Sequence, residues 1–458
     1  MTGKALICKL GKLEKIEGAD RIAQVKMFGE TVIVSKDYKE GTVGLLFDCE
    51  TQLSHEFCSA NNLYRHSELN ADKTKSGYME DNRRVRPIRL KGVQCSAMFM
   101  PINSIPNGNF DEPEKHLGVE IESFAGVPIC SKYIPPKTKS TTKQGLEGRY
   151  KNKASYVPTF KEHMDTDQWG RNTHKVQEGD LVIITEKLHG TSGRCGYLPV
   201  FQHFTVWQSI VAWFKLWIFK TFPDNKPYKF VVGSRRVVKS INGNEAENKA
   251  HYYNEDLWTT IAKREFEGKL RKGETVYFEI VGYTPSGEPI MGSHNNTKLQ
   301  KFMSKSEYKE FINKYGSTTR FHYGTFEMTH NGDQTTTDKT NKVFIYRITM
   351  TNDDGESIDL SWKQVKTRSE QLGVTHVPEI YKTICFNEEY KGQINQLVKH
   401  FTESDSKNFP QHINEGVCVR IENGSLTPQI YKSKRFIFKC LEGIIKDNPD
   451  NIDVEETN

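Results

Sequence analysis

An apolar, β-branched run at Val182, Ile183 and Ile184 leads through Thr185 and Glu186 to Lys187, and a turn of Leu188, His189, Gly190, Thr191 and Ser192 follows at once. Such a run suits a buried strand, and Gly190 supplies a tight bend after it. An amine in that position stands at the end of a strand and faces a pocket. A lone lysine is more often a solvated surface group, so the argument rests on what accompanies it.

Further strand-like stretches follow in order. They are Gly233-Ser234-Arg235-Arg236, Val276-Tyr277-Phe278-Glu279-Ile280-Val281-Gly282, Phe344-Ile345-Tyr346-Arg347-Ile348, Glu415-Gly416-Val417-Cys418-Val419-Arg420 and Tyr431-Lys432-Ser433-Lys434. With the Lys187 stretch they resemble motifs I, Ia, III, IIIa, IV and V of the covalent nucleotidyltransferase superfamily, which contains RNA ligases, DNA ligases and mRNA capping enzymes. Each motif is weak alone, and the ordered set is specific. The resemblance implies that Lys187 takes up a nucleotide through a phosphoramidate bond. It implies that Glu279 and Glu415 serve the ribose and a catalytic metal, with Glu415 the stronger metal ligand. Arg235, with Glu186 and Arg194, falls in the nucleotide-binding set. Phe344 or Tyr346 matches the aromatic that packs on the purine, and either fits equally well as plain core. Arg171, upstream of the lysine, is either a nucleotide contact or a solvated loop arginine.

The chemistry agrees with those residue types. Nucleotidyl transfer needs a nucleophile in line with the α-phosphate and its pyrophosphate leaving group. A lysine amine, with an ordinary pKa of about 10.4, serves only when unprotonated, and cations, metal and burial all favour that form. Lys432 and Lys434, two residues apart on a strand, put both ammonium groups on one face. They are expected to neutralise phosphates and to lower the pKa of Lys187; otherwise they form a basic strand edge. Carboxylates on apolar strands need pairing or a metal, and Mg²⁺ or Mn²⁺ suits Glu279 and Glu415. Most of the superfamily has Lys-x-Asp-Gly where this chain has Lys187-Leu188-His189-Gly190. Histidine binds Mg²⁺ poorly, so His189 contacts phosphate, or joins the metal set by favouring Mn²⁺.

The chain of 458 residues is long enough for two or three domains. Its mean hydropathy of −0.65 describes a rather polar protein. The net charge of +6 permits a nucleic-acid partner without requiring one. The nine cysteines show no zinc spacing, which favours a reducing, cytoplasmic setting. Neither a secretory signal nor a run of membrane-spanning length is read in the sequence.

The expected fold is α+β: an OB-like β-barrel over 1–106, a linker over 107–155, a nucleotidyltransferase domain of antiparallel sheets with flanking helices over 156–445, and an acidic, disordered tail over 446–458. Short apolar runs at 5–8, 22–27, 31–35 and 43–47 mark the first module. Its phrasing resembles the N-terminal OB-type domain of one branch of RNA ligases. Arg83, Arg84, Arg86, Arg89 and Lys91 form a basic cluster there. Such groups track nucleic acid in OB folds, or simply blunt a strand edge. Helices are expected over 254–273, 306–316 and 388–401. The insert carrying Trp207, Trp213 and Trp217 reads as a packed helix, a partner or self-association surface, or an interfacial anchor.

Little chain follows Lys434, and the OB-like module comes first. That arrangement resembles RNA ligases rather than DNA ligases or capping enzymes. The sequence therefore implies an ATP-dependent RNA ligase joining 3′-OH and 5′-phosphate ends. A GTP-using capping enzyme and a catalytically dead RNA-binding protein are the alternatives. With every motif downstream of residue 150, a chain starting there is expected to keep self-adenylation and lose RNA sealing.

Overall fold

We describe the fold from a computed structural model, which describes residues 3–106, 108, 112–134, 157–163, 165–200, 227–242, 244–245, 253, 255–331 and 334–445. The Trp-rich insert, the basic stretch after Pro136 and the acidic tail lie outside the described residues.

The N-terminal module is built on a seven-stranded sheet. Its order is Glu120–Ile121, Ala5–Lys9, Val43–Asp48, Ala97–Pro101, Glu30–Ser35, Ile22–Met27 and Glu14–Lys15. Alternation sends Ala5 and Ile7 to one face and Leu6 and Cys8 to the other, and each face has its own apolar core. No pairing joins the two outer strands among the described residues, so the sheet is open there and the closed barrel of the sequence reading is not seen. The module also runs past residue 106. Ile121 pairs with Ala5, and the strand Cys130–Lys132 pairs with Thr51–Leu53. Ile129 and Cys130 are buried in its core. Proline-rich composition gave this stretch the look of a linker, whereas its few apolar residues tie it to the sheet.

The second module holds two sheets, antiparallel throughout except that Asp167–Gln168 joins the first in parallel. The first runs Asp167–Gln168, Gln429–Lys434, Gly416–Glu422, Leu181–Glu186 and Glu379–Ile384. The second runs Asn244–Glu245, Val238–Ile241, Tyr228–Ser234, Thr191–Pro199, Glu274–Gly282, Asn341–Thr351 and Ser357–Asp359. The expected helices are present with sharper limits. Lys305–Tyr315 starts at a reciprocal Ser304/Glu307 cap and stops at Gly316. Glu388–Glu403 buries Ile394 and Val398. The helix expected over 254–273 spans only Leu257–Phe266, capped by Asp256, because Gly268 at φ +75° turns the chain soon after it. No helix among the described residues is long and apolar enough to cross a membrane.

The modules meet through charges. Arg171 reaches back into the N-terminal module, at 2.8 Å from Glu120 and 3.3 Å from Asp48. Lys439 pairs with Glu30, and Lys132 lies 3.2 Å from Asp165. Arg84 is buried, stacks over Tyr133 at 4.6 Å and donates to the Gly443 carbonyl at 3.4 Å. Arg171 is thus a clamp between modules and does not line the cavity described below. Arg171→Ala would leave the buried Asp48 carboxylate without its guanidinium. It should cost about 3 kcal/mol, read as a lower urea midpoint; an unchanged midpoint would sink the clamp.

Candidate active site

Lys187 sits where the two sheets join. The strand Leu181–Glu186 pairs on both sides, and Val182 and Ile184 point into the core behind it. The chain then crosses to Thr191–Pro199 in the second sheet. The Lys187 amide donates to the Gly416 carbonyl at 3.0 Å, and the His189 amide to the Tyr323 hydroxyl at 2.7 Å. Gly190 passes so close to the next strand that a Cβ would lie 2.3 Å from the Ile280 carbonyl oxygen.

Two strands bring the remaining groups to the same cavity. Glu415 precedes Gly416, whose φ of +141° turns the chain into its strand. The Glu415 carboxylate is buried and lies 2.7 Å from the Lys187 amine. Lys432 and Lys434 sit opposite Cys418 and Gly416, on one face as their spacing requires. Lys434 lies 2.7 Å from Glu442, 3.2 Å from Glu50 and 3.9 Å from Glu415. Lys432 lies 2.9 Å from each Glu50 oxygen. From the second sheet, Glu279 accepts from the Ser192 hydroxyl at 2.8 Å. Tyr346 lines the cavity beside it, with the His163 ring 5.0 Å away, edge-on.

These charges correct one expectation. Burial favours the neutral amine of Lys187, but Glu415, helped by Cys418 and Glu279, outweighs burial and Lys434 together and holds the amine above its ordinary value. Lys434 pushes in the expected direction and is overruled by the nearer carboxylate. Lys432 itself is held down, chiefly by burial. Burial also pushes the Cys418 thiol up to about 11, so it faces the cavity as a neutral group.

Glu415 alone offers an oxygen suited to a hard cation, and no three His, Cys, Asp or Glu side chains converge as a ligand set among the described residues. One Glu415 oxygen is buried and finds no hydrogen-bond donor among the described residues. It faces His189 Nδ1 at 3.7 Å. That imidazole is wedged edge-on against Phe321 and Phe438, at 4.7 and 5.0 Å.

Not every sequence candidate converges. Glu186, His189, Arg235, Glu279, Tyr346, Glu415, Lys432 and Lys434 line one cavity with Lys187. Glu186 is buried and takes a hydrogen bond from Asn408 at 3.0 Å. Arg194 turns away and holds the carbonyls of Phe160, Ser234 and Arg236. Phe344 is core, and Tyr346, two residues on, takes the cavity side because the register slips between Tyr277 and Phe278 and leaves Tyr346 as the extra residue of a bulge. Arg83 donates to the Leu53 carbonyl and Arg84 is buried, so the basic cluster is not one continuous surface; Arg89 and Lys91 flank the exposed Leu90 on a separate hairpin. Glu50, Lys132, His163, Asp165 and Arg420 also line the cavity. Glu50 and Lys132 come from the N-terminal module, where no local signal marks them. A chain starting near residue 150 would lose Lys132, its pairing with Asp165 and that wall of the cavity, so its self-adenylation should fall, contrary to the sequence expectation.

A lysine at the junction of two sheets thus faces a buried acid and paired cations in one cavity. The RNA ligase family model matches residues 180–441, and the chain belongs to that family. Its fold resembles that of the Naegleria gruberi RNA ligase in several solved forms. A lysine-to-alanine variant with ATP and manganese matches at a TM-score of 0.54 and 14% identity, over 98% of this chain and 100% of that one. A glutamate-to-alanine variant with AMP and manganese gives 0.53 and 14%, over 97% and 99%. The form with pyrophosphate gives 0.52 and 15%, over 97% and 99%. Among curated proteins no sequence match was found.

A layer of buried histidines lies behind the site. His412 packs 4.2 Å from the Tyr323 ring, and burial, then His322, holds it down at about 4. It is neutral when folded and takes a proton more readily when unfolded, so stability is full above about pH 6.5 and falls toward pH 4. Between pH 7.5 and 5 the loss should be about 2 kcal/mol. Urea unfolding of His412→Leu at both pH values should show a pH effect smaller by that amount; an undiminished effect would count against it.

Proposed function

We propose that this chain is an ATP-dependent RNA ligase that seals 3′-OH and 5′-phosphate RNA ends through an AMP carried on Lys187. The carrying observation is the meeting of Lys187, Glu415, Lys432 and Lys434 in one cavity at the sheet junction. The Naegleria structures with ATP, AMP and manganese support the choice of nucleotide and ion.

Lys187 Nζ forms the bond to the α-phosphorus while the bond to the bridging oxygen breaks and pyrophosphate leaves. Lys432 and Lys434 balance the charge that builds on the phosphate oxygens. The hydroxyl of Ser192 and the carboxylate of Glu279 suit the ribose, and the Tyr346 ring suits the purine face. A Mg²⁺ or Mn²⁺ ion held by Glu415, with Glu279 and His189 at its margin, would offset the negative charge that keeps Lys187 protonated. The AMP then passes to an RNA 5′-phosphate, and a 3′-OH displaces it. The N-terminal module, with Arg89 and Lys91 on its hairpin, is the proposed platform for the RNA.

Incubation with α-labelled ATP and Mg²⁺ or Mn²⁺ should label the parent in an acid-labile bond, and labelled GTP should not. Lys187→Arg should give no label, because a guanidinium stays protonated. Lys434→Ala should label about 10²-fold more slowly. Full labelling of Lys187→Arg would overturn the assignment, and preferential labelling by GTP would move the chain to the capping reading.

A further inference from the structure

The phosphate-binding lysines already hold an anion, and it comes from the other module. Glu50 lies in the N-terminal module, yet its two carboxylate oxygens each stand 2.9 Å from Lys432 Nζ, and one stands 3.2 Å from Lys434 Nζ. All three side chains are nearly buried, with Lys432 and Glu50 each 12% exposed and Lys434 8%. Buried ammonium groups without counter-ions are costly. The cavity therefore needs negative charge at this position whether or not a nucleotide is present.

We propose that Glu50 is a resident competitor for the phosphate seat formed by Lys432 and Lys434, displaced when a nucleotide's phosphate enters. The inference rests on the nucleotidyl-transfer reading of the site and adds a tenant to it. Both anions satisfy the same cations, so only one fits between them at a time. The backbone of Glu50 is pinned on both sides. Its amide donates to Asp48 Oδ1 at 2.9 Å, and its carbonyl accepts from the Tyr133 amide at 2.8 Å. Its side chain has free torsions beyond that anchor, so the carboxylate can leave by rotation while the turn stays in place. Lys434 keeps Glu442 at 2.7 Å throughout, so the exchange falls mainly on Lys432.

Two other roles for Glu50 predict the opposite result. As a ligand for a metal on the nucleotide, its loss would weaken binding. As a strut that merely positions the two lysines, its loss would also weaken it.

The test is calorimetric titration of inorganic pyrophosphate into the full chain in EDTA, with parent, Glu50→Gln, Glu50→Asp and Asp48→Asn. Glu50→Gln keeps the shape and removes the charge, and should bind roughly tenfold tighter. Glu50→Asp keeps the charge with a shorter reach and should fall between it and the parent. Asp48→Asn loosens the pairing with Arg171 while its amide oxygen can still accept from the Glu50 amide, and should gain far less than Glu50→Gln. The KM for ATP in self-adenylation should fall in Glu50→Gln as well. Unchanged or weaker pyrophosphate binding by Glu50→Gln overturns the proposal, and so does an equal gain in Asp48→Asn, which would trace the effect to module loosening. A parent that binds pyrophosphate but takes no label from ATP would sink the ligase reading and leave this result standing.

Discussion

The buried carboxylate of Glu415 is the charge around which the catalytic module is arranged. An acid so deeply enclosed is costly unless cations and donors surround it. Lys187 at 2.7 Å and Lys434 at 3.9 Å meet that demand from two different strands. Each is held by the sheet register: the Lys187 amide bonds to Gly416, and Lys434 pairs with Gly416 across the strand. Backbone pairing thus brings together the proposed nucleophile, its acid and the proposed phosphate cation. The same acid keeps the amine charged, so binding and activation are separate demands on one pair of groups.

Much of the candidate site was legible in the sequence. Glu279 interrupts an apolar strand, Glu415 stands at the head of another, and Lys432 and Lys434 alternate onto one face of a third, so that charge in each place needs a reason. The same logic misplaced Arg194 and Arg171. Both are charged residues on or beside a strand, but their guanidinium groups satisfy carbonyls and carboxylates of the scaffold. Tyr346 and Phe344 were inseparable by type and by period, and only the bulge at Tyr346 parted them.

The N-terminal contribution was not legible. Glu50 and Lys132 face each other across no motif, since Lys132 pairs with Thr51 beside Glu50 and both reach the cavity from a different module. Their significance exists only after the modules dock, and docking depends on dispersed ion pairs such as Arg171 with Asp48. The extent of the first module was hidden for a related reason. Two strands of two and three residues, Glu120–Ile121 and Cys130–Lys132, carry too few side chains to show a period.

The crossing from Glu186 to Thr191 has a mechanical side. So short a strap cannot lengthen, and Gly190 presses it against Ile280 with no room for a Cβ. The two sheets therefore behave as a vice whose pivot is Lys187 itself. Splaying them would drag the Lys187 amine away from Glu415, so any widening of the cavity falls to its outer wall, the N-terminal module, rather than to the pivot.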